Sequence, residues 1–270
     1  MALQFDPGIC KAPFTTLADA HPGSEVYPFD QFRVEWGPIF HRGRLNGSAR
    51  VLVIGQDPAA HETVVRRILV GEAGRRVQGF LAKLGITKRY VMINAYVYSV
   101  YGTVSTAARH NPALIAYRNR WFDAIMEPGK VEAVLTLGTA AREAWTLWKA
   151  TATGTASTVP MAAVTHPTQP ESAGGTEAQV ATATRQLLAN WNAALQVLAP
   201  AIAHPDRQVP LVLYGNTWAE GDQAAIPKAD LPAGLPHWMH ANDGWSVRTG
   251  ATPIAKRHTI TVTVPDTIIP

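Results

Sequence analysis

The chain has a single cysteine and no long apolar segment, and each of these absences excludes certain classes of protein. Because Cys10 is the one cysteine among 270 residues, an internal disulfide framework and a Cys-ligated iron–sulfur or Cys-rich zinc site within the monomer are excluded. No stretch reaches the roughly eighteen uncharged apolar residues of a membrane helix. Residues 1–11 also lack the basic and apolar regions of a secretion signal. We therefore expect a cytoplasmic protein without a membrane partner.

Charged residues are also scarce, and their balance is mildly basic. They make up 16% of the chain, against 47% hydrophobic residues, a composition typical of globular rather than disordered proteins. The net charge of +4 favours an anionic partner such as nucleic acid, although many basic proteins bind none. The chain has no repeat of fixed period. It also has no glycine-rich phosphate loop, which counts against a non-enzymatic nucleotide-binding domain.

Short apolar runs alternate with helical patterns through the middle of the chain. The runs that predict strands occupy residues 50–54, 90–97, 131–137 and 161–164. The patterns that predict helices occupy residues 75–84, 115–126, 139–148 and 176–198, with Thr139 as the cap of the third. This alternation predicts an α/β fold, a three-layer α/β/α sandwich with a central, mainly four-stranded parallel sheet.

Two segments flank this predicted α/β core of residues 50–198. Residues 1–49 are expected to form a loop-rich segment with one or two helices that packs on the core. Residues 199–270 are rich in Pro, Gly and Trp and form an extension, either within the same domain or as an appendage. Strand-like runs in the extension lie at residues 209–214 and 259–264. The Ala/Thr-rich stretch 150–157 predicts a flexible loop.

Four loops follow the carboxyl ends of the predicted strands, where ligands bind in sheets of this kind. In chain order they contain Gly55-Gln56-Asp57-Pro58-Ala59-Ala60-His61-Glu62, then Asn94, then Gly138-Thr139, and last His166-Pro167-Thr168. Taken together, they resemble the uracil-DNA glycosylase superfamily, in which a Gly-Gln-Asp-Pro-type motif, an Asn and a His-Pro-Ser-type motif follow strands in this order. Residues 66–74 are also similar to a segment of its bacterial and archaeal branches, so the resemblance spans roughly residues 50–195.

The resemblance implies a DNA repair enzyme that flips uracil out of DNA and hydrolyses the N-glycosidic bond, leaving an abasic site. It implies uracil-containing DNA, single- or double-stranded, as the partner, and no metal or other cofactor. A monomer is expected, associated with the nucleoid if the source is bacterial.

The chemistry of the loops agrees with that implication. Breaking an N-glycosidic bond builds positive charge on the sugar and negative charge on the departing base. Asp57 is suited to orient or deprotonate a water and to stabilise the cationic sugar, and His166 is suited to donate a hydrogen bond to the uracil carbonyl oxygen. Alone, Asp57 would be a turn or helix cap and His166 an ordinary loop histidine, but their joint placement favours catalysis.

Recognition of the base is assigned to residues near the first two strands. Asn94 offers one acceptor and one donor group, which match the edge of uracil and are mismatched against cytosine. The alternative is a polar residue that satisfies backbone groups at a strand end. Gln56 is expected beside it in the pocket. Ala59 and Leu69 stand where relatives place a tyrosine that excludes thymine and a stacking phenylalanine, so we expect relaxed specificity and weaker stacking.

Other contacts are needed to hold an extruded nucleotide and its flanking phosphates. The candidate DNA-binding residues are Pro58, Thr139, Pro167, Thr168, Gln169, Arg75 and Arg76. Arg75 and Arg76 can equally form a solvated helix face. Gln169 or Pro170 is expected to fill the vacated base stack, and Phe40 or Trp36 is a candidate to replace the stacking phenylalanine.

Two further interpretations of the same loops stay open. The chain could bind uracil or the abasic product tightly and turn over poorly, because pocket geometry and chemistry are separable. Alternatively, His61, Glu62 and Asp57 are metal-ligand residue types crowded in one loop, which would suit a metal-dependent hydrolase. The loop lacks a helical His-X-X-X-His pair, which ranks that second interpretation lower.

Overall fold

The computed structural model of the protein describes residues 5–241 and 244–266. Within these ranges the strands are β1 (His41–Gly43), β2 (Val51–Gly55), β3 (Tyr90–Asn94), β4 (Ala133–Leu137), β5 (Met161–Val164), β6 (Ser246–Val247) and β7 (Thr261–Val262). The α-helices are α1 (Phe14–Asp19), α2 (Ala60–Val65), α3 (Glu72–Lys83), α4 (Thr106–Arg109), α5 (Pro112–Met126), α6 (Thr139–Lys149), α7 (Ala152–Ala156), α8 (Gln169–Ala173), α9 (Glu177–Leu198), α10 (His237–Ala241) and α11 (Pro253–His258). Short 3₁₀ segments lie at Val34–Trp36, Ala199–Ala201 and Lys228–Asp230.

The central sheet has five strands in the order β1-β3-β2-β4-β5. Strands β2 to β5 run parallel, and β1 pairs antiparallel with β3 at the edge. This confirms the predicted α/β fold with a four-stranded parallel sheet and adds one edge strand. The sequence His41-Arg42-Gly43 has no apolar pattern, so nothing in it indicates a strand.

Helices cover both faces of the sheet, which is why its strands are apolar throughout. In β2, Leu52 and Ile54 face a core shared with α5 and α6, whereas Val51 and Val53 face a second core shared with α3 and α9. All five residues of β2 are buried. Burial on both faces explains the continuous apolar run, because a strand with one wet face would alternate apolar and polar residues.

The strand order creates a crevice at the carboxyl end of the sheet. The chain passes from β2 to its neighbour β3 on one side, and then returns to β4 on the other side of β2. Connections that leave β2 and β4 in opposite directions open a space between their loops, and ligands of open α/β sheets bind at such a point. The predicted Asp57 loop and the Gly138-Thr139 loop border this crevice.

Several local predictions were wrong. Residues 209–214 join neither sheet of the described chain; Leu211 and Val212 are 41% and 58% exposed, so the apolar run has no strand to pair with. The predicted loop 150–157 contains α7, whose amino terminus is capped by the Thr151 hydroxyl through Gly154 N–H at 3.1 Å. Thr139 is the first residue of α6 rather than its cap, and Gly138 occupies the cap position with φ of 84°.

The flanking segments pack on the sheet through buried polar contacts. Asp230, from the extension, is fully buried and accepts a hydrogen bond from Arg42 on β1 at 3.2 Å and another from the hydroxyl of Tyr90. It also forms an ion pair with Arg44 at 3.0 Å. Strand β6 pairs with β7 and packs against α2. No helix within the described ranges combines the length and the apolar character that crossing a bilayer requires.

Candidate active site

A cleft of about 650 Å³ opens at the carboxyl ends of β2, β4 and β5. The residues that line it are Gln56, Asp57, Ala59, Leu137, Gly138, Thr139, Arg142, Ala163, Val164, Thr165, His166, Gln169, Asn190 and Arg248. The structure therefore brings three of the four predicted loops, and both predicted catalytic residues, to one cavity. Asn94, which was expected in the remaining loop, is the last residue of β3 and pairs with Gly55 at the end of β2, beside the first loop.

Asp57 is fixed at the base of this cleft by two hydrogen bonds. Its Oδ2 accepts from the Val100 N–H at 2.9 Å, and its Oδ1 accepts from Gln56 Nε2 at 3.0 Å. Backbone bonds from Ala95 to Gly55 and from Tyr96 to Gln56 tie the same loop to the end of β3, each at 2.9 Å. Each carboxylate oxygen has a second lone pair, so Asp57 can still accept a proton or a hydrogen bond from a water.

Burial dominates the acidity of Asp57. Desolvation disfavours the ionised form and raises the pKa of Asp57 above its usual range, and the bonds from Val100 and Gln56 and the charges of Arg248 and Arg33 offset only part of that effect. A carboxylate with a raised pKa is a stronger base than one on the surface. It suits a group that must take a proton from water.

The loop that carries His166 is held from two sides. On one side, α9 fixes Thr165, because Asn190 Oδ1 accepts from its N–H at 2.8 Å and Trp191 Nε1 donates to its carbonyl at 3.1 Å. On the other side, Arg76 of α3 donates to the Pro167 carbonyl at 2.6 Å. The histidine is thus clamped between two helices that pack on the same face of the sheet.

The environment of His166 favours a neutral ring with its proton on Nε2. Burial lowers the pKa of His166, so the imidazole is uncharged at neutral pH. The Thr168 N–H points at Nδ1 from 3.4 Å, which makes Nδ1 the acceptor nitrogen and leaves Nε2 as the donor. This assignment follows from the hydrogen-bond pattern. Within the cleft, His166 is therefore a neutral hydrogen-bond donor.

Asn94 and Leu69 meet at Gly55, the last residue of β2. A Cβ at Gly55 would lie 2.3 Å from Asn94 Oδ1, so glycine is what leaves room for the Asn94 side chain, and Leu69 Cδ1 lies 4.0 Å from the same point. Leu69 is 6% exposed and has a left-handed φ of 53°, which is uncommon for a residue with a Cβ. Gly74 of α3 makes this possible, because a Cβ there would lie 1.6 Å from the Leu69 carbonyl oxygen.

Asn94 and the candidate aromatic Phe40 line a second, much smaller cavity of about 10 Å³. Phe40 is stacked on Trp121, with ring centroids 5.4 Å apart and an interplanar angle of 11°. Trp36, the other candidate for stacking on a base, has the Arg33 guanidinium 4.8 Å above its ring. The rings of Phe40 and Trp36 thus each have one face covered by another side chain of the protein.

Glu62 joins the first loop to the Leu69 segment. Its two carboxylate oxygens accept from the N–H groups of Ala59 at 3.1 Å and Val70 at 3.3 Å, and its side chain is buried. The neighbouring His61 packs edge-on against Trp245, with ring centroids 4.8 Å apart. Among the described residues, no group of three or more His, Cys, Asp or Glu side chains is placed to hold a metal ion. The geometry gives the metal-hydrolase interpretation no support.

The predicted DNA contacts fall into two groups. Thr139 and Gln169 are exposed on the wall of the cleft, each at the first position of a helix, and Thr168 is partly exposed beside them. Pro58, Pro167 and Pro170 are buried. Ala59 is exposed and lines the cleft, whereas Arg75 is partly exposed and outside its lining.

Arg76 is placed differently from the prediction of a phosphate contact. It is 3% exposed, its Nη2 bonds Glu171 at 2.7 Å and also Glu72, and its guanidinium lies 4.5 Å from the ring of Trp218. The guanidinium of Arg76 is thus engaged by side chains of the protein and is not directed toward a DNA phosphate. The side chain fixes the His-Pro-Thr loop from within and does not face the cleft.

Sequence reasoning missed three arginines around the cleft. Arg142 lies three positions after Thr139 on α6, a spacing that puts both on one helix face and that the sequence already contained. Arg248 reaches the cleft from the extension, and Arg33 approaches from the amino-terminal segment. No local pattern marks these two, because their place depends on how the flanking segments wrap the sheet.

The arrangement can separate charge across a bound molecule. The carboxylate of Asp57, whose basicity is increased by burial, and the neutral imidazole of His166 face one cavity. The wall of this cavity also carries the hydroxyl of Thr139 and the guanidinium groups of Arg142 and Arg248. Such a site stabilises a cation next to Asp57 and an oxyanion next to His166.

Comparison with known families agrees with this geometry. A family model with the description "Uracil DNA glycosylase superfamily" matches residues 42–196, a range that contains β2 to β5 and the four loops. The matched range is more than half of the 270-residue chain. No curated protein gives a match.

Proposed function

The chain belongs to the uracil DNA glycosylase superfamily, and from this premise we propose that it is a monofunctional uracil-DNA glycosylase that acts on DNA as a monomer. The observation that carries the proposal is the presence of Asp57 and His166 in one cleft, at the ends of β2 and β5. The superfamily supports a DNA glycosylase. The preference for uracil, the flipping of the base and the hydrolytic mechanism are the parts that we propose.

In the proposed reaction, Asp57 accepts a proton from a water as the water oxygen bonds to C1′ of the deoxyribose. The bond between C1′ and N1 of uracil breaks, and its electron pair leaves with the base. His166 donates a hydrogen bond from its Nε2–H to the uracil oxygen on which negative charge gathers, and keeps its proton. The departing uracil anion then takes up a proton from solvent, and Asp57 releases to solvent the proton that it took from water. The products are free uracil and a continuous DNA strand with an abasic sugar.

The base must leave the stack to reach this cleft, and the surface residues fit that requirement. Thr139 and the amino terminus of α6 present N–H and hydroxyl groups to a phosphate, and Arg142 on the same helix face adds a cation. Gln169 is exposed at the start of α8, whereas Pro170 is buried, so we propose Gln169 as the residue that fills the vacated stack.

Recognition of uracil is proposed for Asn94 and Leu69, which lie on either side of Gly55, beside the loop that carries Asp57. Asn94 on one side would pair with the donor and acceptor groups of the uracil edge, and Leu69 on the other would cover its face. Because Ala59 is small and exposed, nothing bulky at that position opposes the methyl group of thymine. We therefore expect thymine in G·T mismatches to be removed slowly rather than rejected.

The test is incubation of the full chain with oligonucleotides that contain uracil, thymine opposite guanine, or only normal pairs, all in EDTA, followed by alkaline cleavage. We expect efficient cleavage at uracil, slow cleavage at the mismatched thymine and none at normal pairs. Loss of activity in EDTA would favour a metal-dependent hydrolase. A single turnover followed by a stalled complex would favour a binding protein that retains the abasic product.

A further inference from the structure

Ser99 and Val100 form the support behind Asp57. The Val100 N–H donates to Asp57 Oδ2 at 2.9 Å, and the neighbouring residue Ser99 is 3% exposed. Any group that fixes these two residues therefore also fixes the orientation of the carboxylate. Two arginines do so, and they come from opposite ends of the chain.

Arg33, from the amino-terminal segment, holds this support from inside the protein. Its Nη1 donates to Ser99 Oγ at 3.2 Å and also to the Val100 carbonyl, and its backbone N–H donates to the Ser99 carbonyl at 2.8 Å. The residue is 2% exposed, and its guanidinium lies 4.1 Å from the ring of Tyr101. Arg33 is thus a fixed, buried cation beside the catalytic loop.

Arg248, from the carboxyl-terminal extension, reaches the same hydroxyl from the cleft side. Its Nη2 donates to Ser99 Oγ at 2.9 Å, and the residue lines the cleft together with Asp57 and His166. It directly follows β6, which is anchored by pairing with β7 and by packing against α2. Both arginines lie outside residues 42–196, the range of the family match.

We propose that the two flanking segments complete the catalytic cleft, and that Arg248 is a positioning residue which, with Arg33, holds the Ser99–Val100 support and places a positive charge near Asp57. This inference rests on the proposed role of Asp57 as the base. The inference gives the carboxyl-terminal extension, which lies outside the family match over residues 42–196, a role in positioning the catalytic carboxylate.

The charges around Asp57 show why a second cation matters. Burial raises its pKa, and the buried carboxyl of Glu62 and the phenol of Tyr96 also lie within its electrostatic reach. His166 and Arg142 line the same cleft, and burial keeps the His166 ring neutral. Arg248 and Arg33 are the cations that lower the pKa of Asp57 against this background. Removing Arg248 should therefore move the titration of Asp57 upward.

The experiment measures that titration directly in the full chain, without DNA. Protein labelled with carboxyl-¹³C aspartate is titrated by NMR, and Asp57→Asn identifies the resonance. We expect Arg248→Gln to raise the midpoint by roughly one pH unit, and Arg248→Lys to restore most of the difference because the charge is kept. Lys256→Gln, which removes an exposed cation from the same extension, should leave the midpoint unchanged.

Kinetics give the second readout. The acidic limb of the single-turnover pH–rate profile should move upward in Arg248→Gln by the same amount as the titration, with a rate loss of roughly tenfold at a pH on the limb. If the titration and the limb stay as in the wild type, the proposal is wrong. Weaker DNA binding with an unmoved titration would instead assign Arg248 to a phosphate, which also overturns it.

The two proposals can fail separately. A wild-type chain that releases no uracil refutes the glycosylase, but the DNA-free titration still decides whether Arg248 acts on Asp57. Conversely, an active enzyme whose Asp57 titrates alike in the wild type and in Arg248→Gln keeps its function and loses this inference.

Discussion

At the scale of single residues, the site rests on two ionisable groups whose burial acts in opposite directions. Desolvation disfavours charge on both, so the pKa of Asp57 rises and the pKa of His166 falls. Above both pKa values, the carboxyl is an anion that can take a proton and the imidazole is a neutral donor, which is the pair that the proposed reaction needs.

Replacing either group should lower the rate and leave binding intact. We expect Asp57→Asn to reduce the single-turnover rate on a uracil oligonucleotide by about 10² to 10⁴, and His166→Ala by about 10² to 10³. The dissociation constant for DNA, measured by fluorescence anisotropy, should change little because neither group is assigned to a phosphate. Wild-type rates in both variants would refute the mechanism.

Asp57→Asn should also stabilise the protein at neutral pH. A carboxyl whose pKa is higher in the folded state than in the unfolded chain favours folding below its unfolded pKa, and this contribution is lost as pH rises through the folded pKa. The neutral amide avoids that loss. Thermal unfolding should give a higher Tm for the variant at pH 7.5 and no gain at pH values below the usual aspartate range. A difference in Tm between the variant and the wild type that does not shift in favour of the variant from low pH to pH 7.5 would contradict the raised pKa.

The sequence identified the residues whose position depends on a strand end and missed those whose position depends on the whole fold. Asp57 and His166 each follow a strand, and Asn94 ends one, that could be predicted from a short apolar run. Arg33 and Arg248 reach the site only because the ends of the chain return to it, more than 140 residues away from Ser99 in one case. No local period carries that information.

At the level of secondary-structure elements, the loops that carry Asp57 and His166 are each held by hydrogen bonds with a neighbouring helix. Arg76 on α3 is the main support of the His-Pro-Thr loop, since it joins the Pro167 carbonyl to Glu171 on α8. Glu62 does the same for the first loop by accepting from two backbone N–H groups. These supports keep catalytic side chains aimed before the substrate arrives.

Arg76→Met tests the role of Arg76. Met keeps the contact with Trp218 but leaves the Pro167 carbonyl without its donor, which costs about 1–3 kcal/mol of folding free energy. We expect a lower Tm and a slower excision rate with unchanged DNA affinity. As a control, Arg185→Met removes an exposed arginine of α9 and should change none of the three. Weaker DNA binding at wild-type stability would restore Arg76 as a phosphate contact.

The predicted elements were most accurate where apolar runs are buried on both sides. Strand β5 has the predicted bounds, and β2 and β4 differ from theirs by one or two residues, but β3 ends at Asn94, three residues before the predicted end at residue 97. Errors arose where tertiary contacts decide. Strand β1 exists because it pairs with β3 and because Arg42 finds Asp230, and residues 209–214 stay unpaired because no strand of the described chain lies beside them.

At the level of the whole molecule, the extension, residues 199–270, packs on the α/β core at several points along the part of it that the structure describes. It contacts α3 through Asp222 and Lys83 at 2.9 Å, reaches the sheet edge at Asp230, and returns to the cleft at Arg248. A Cβ at Gly79 of α3 would lie 2.0 Å from the Asp222 carbonyl oxygen, so helix and extension are in close contact. The extension therefore couples the stability of the fold to the geometry of the site.

Asp230→Ala should destabilise the protein strongly. It removes the partner of Arg42, whose side chain is fully buried, and breaking a buried ion pair in this way costs about 3–5 kcal/mol. The measurement is urea unfolding followed by tryptophan fluorescence, with Asp30→Ala at an exposed site as the control. Equal midpoints for the two variants would show that the extension is only loosely attached.

Hydrolysis of the bond between uracil and deoxyribose, with Asp57 as the base, can be tested by mass-spectrometric quantification of free uracil. A uracil oligonucleotide is incubated in EDTA with the full chain and, under the same conditions, with Asp57→Asn. We expect stoichiometric release by the wild type and release at background level by the variant over the same time. No free uracil from the wild type, or equal release by both proteins, would contradict this proposal.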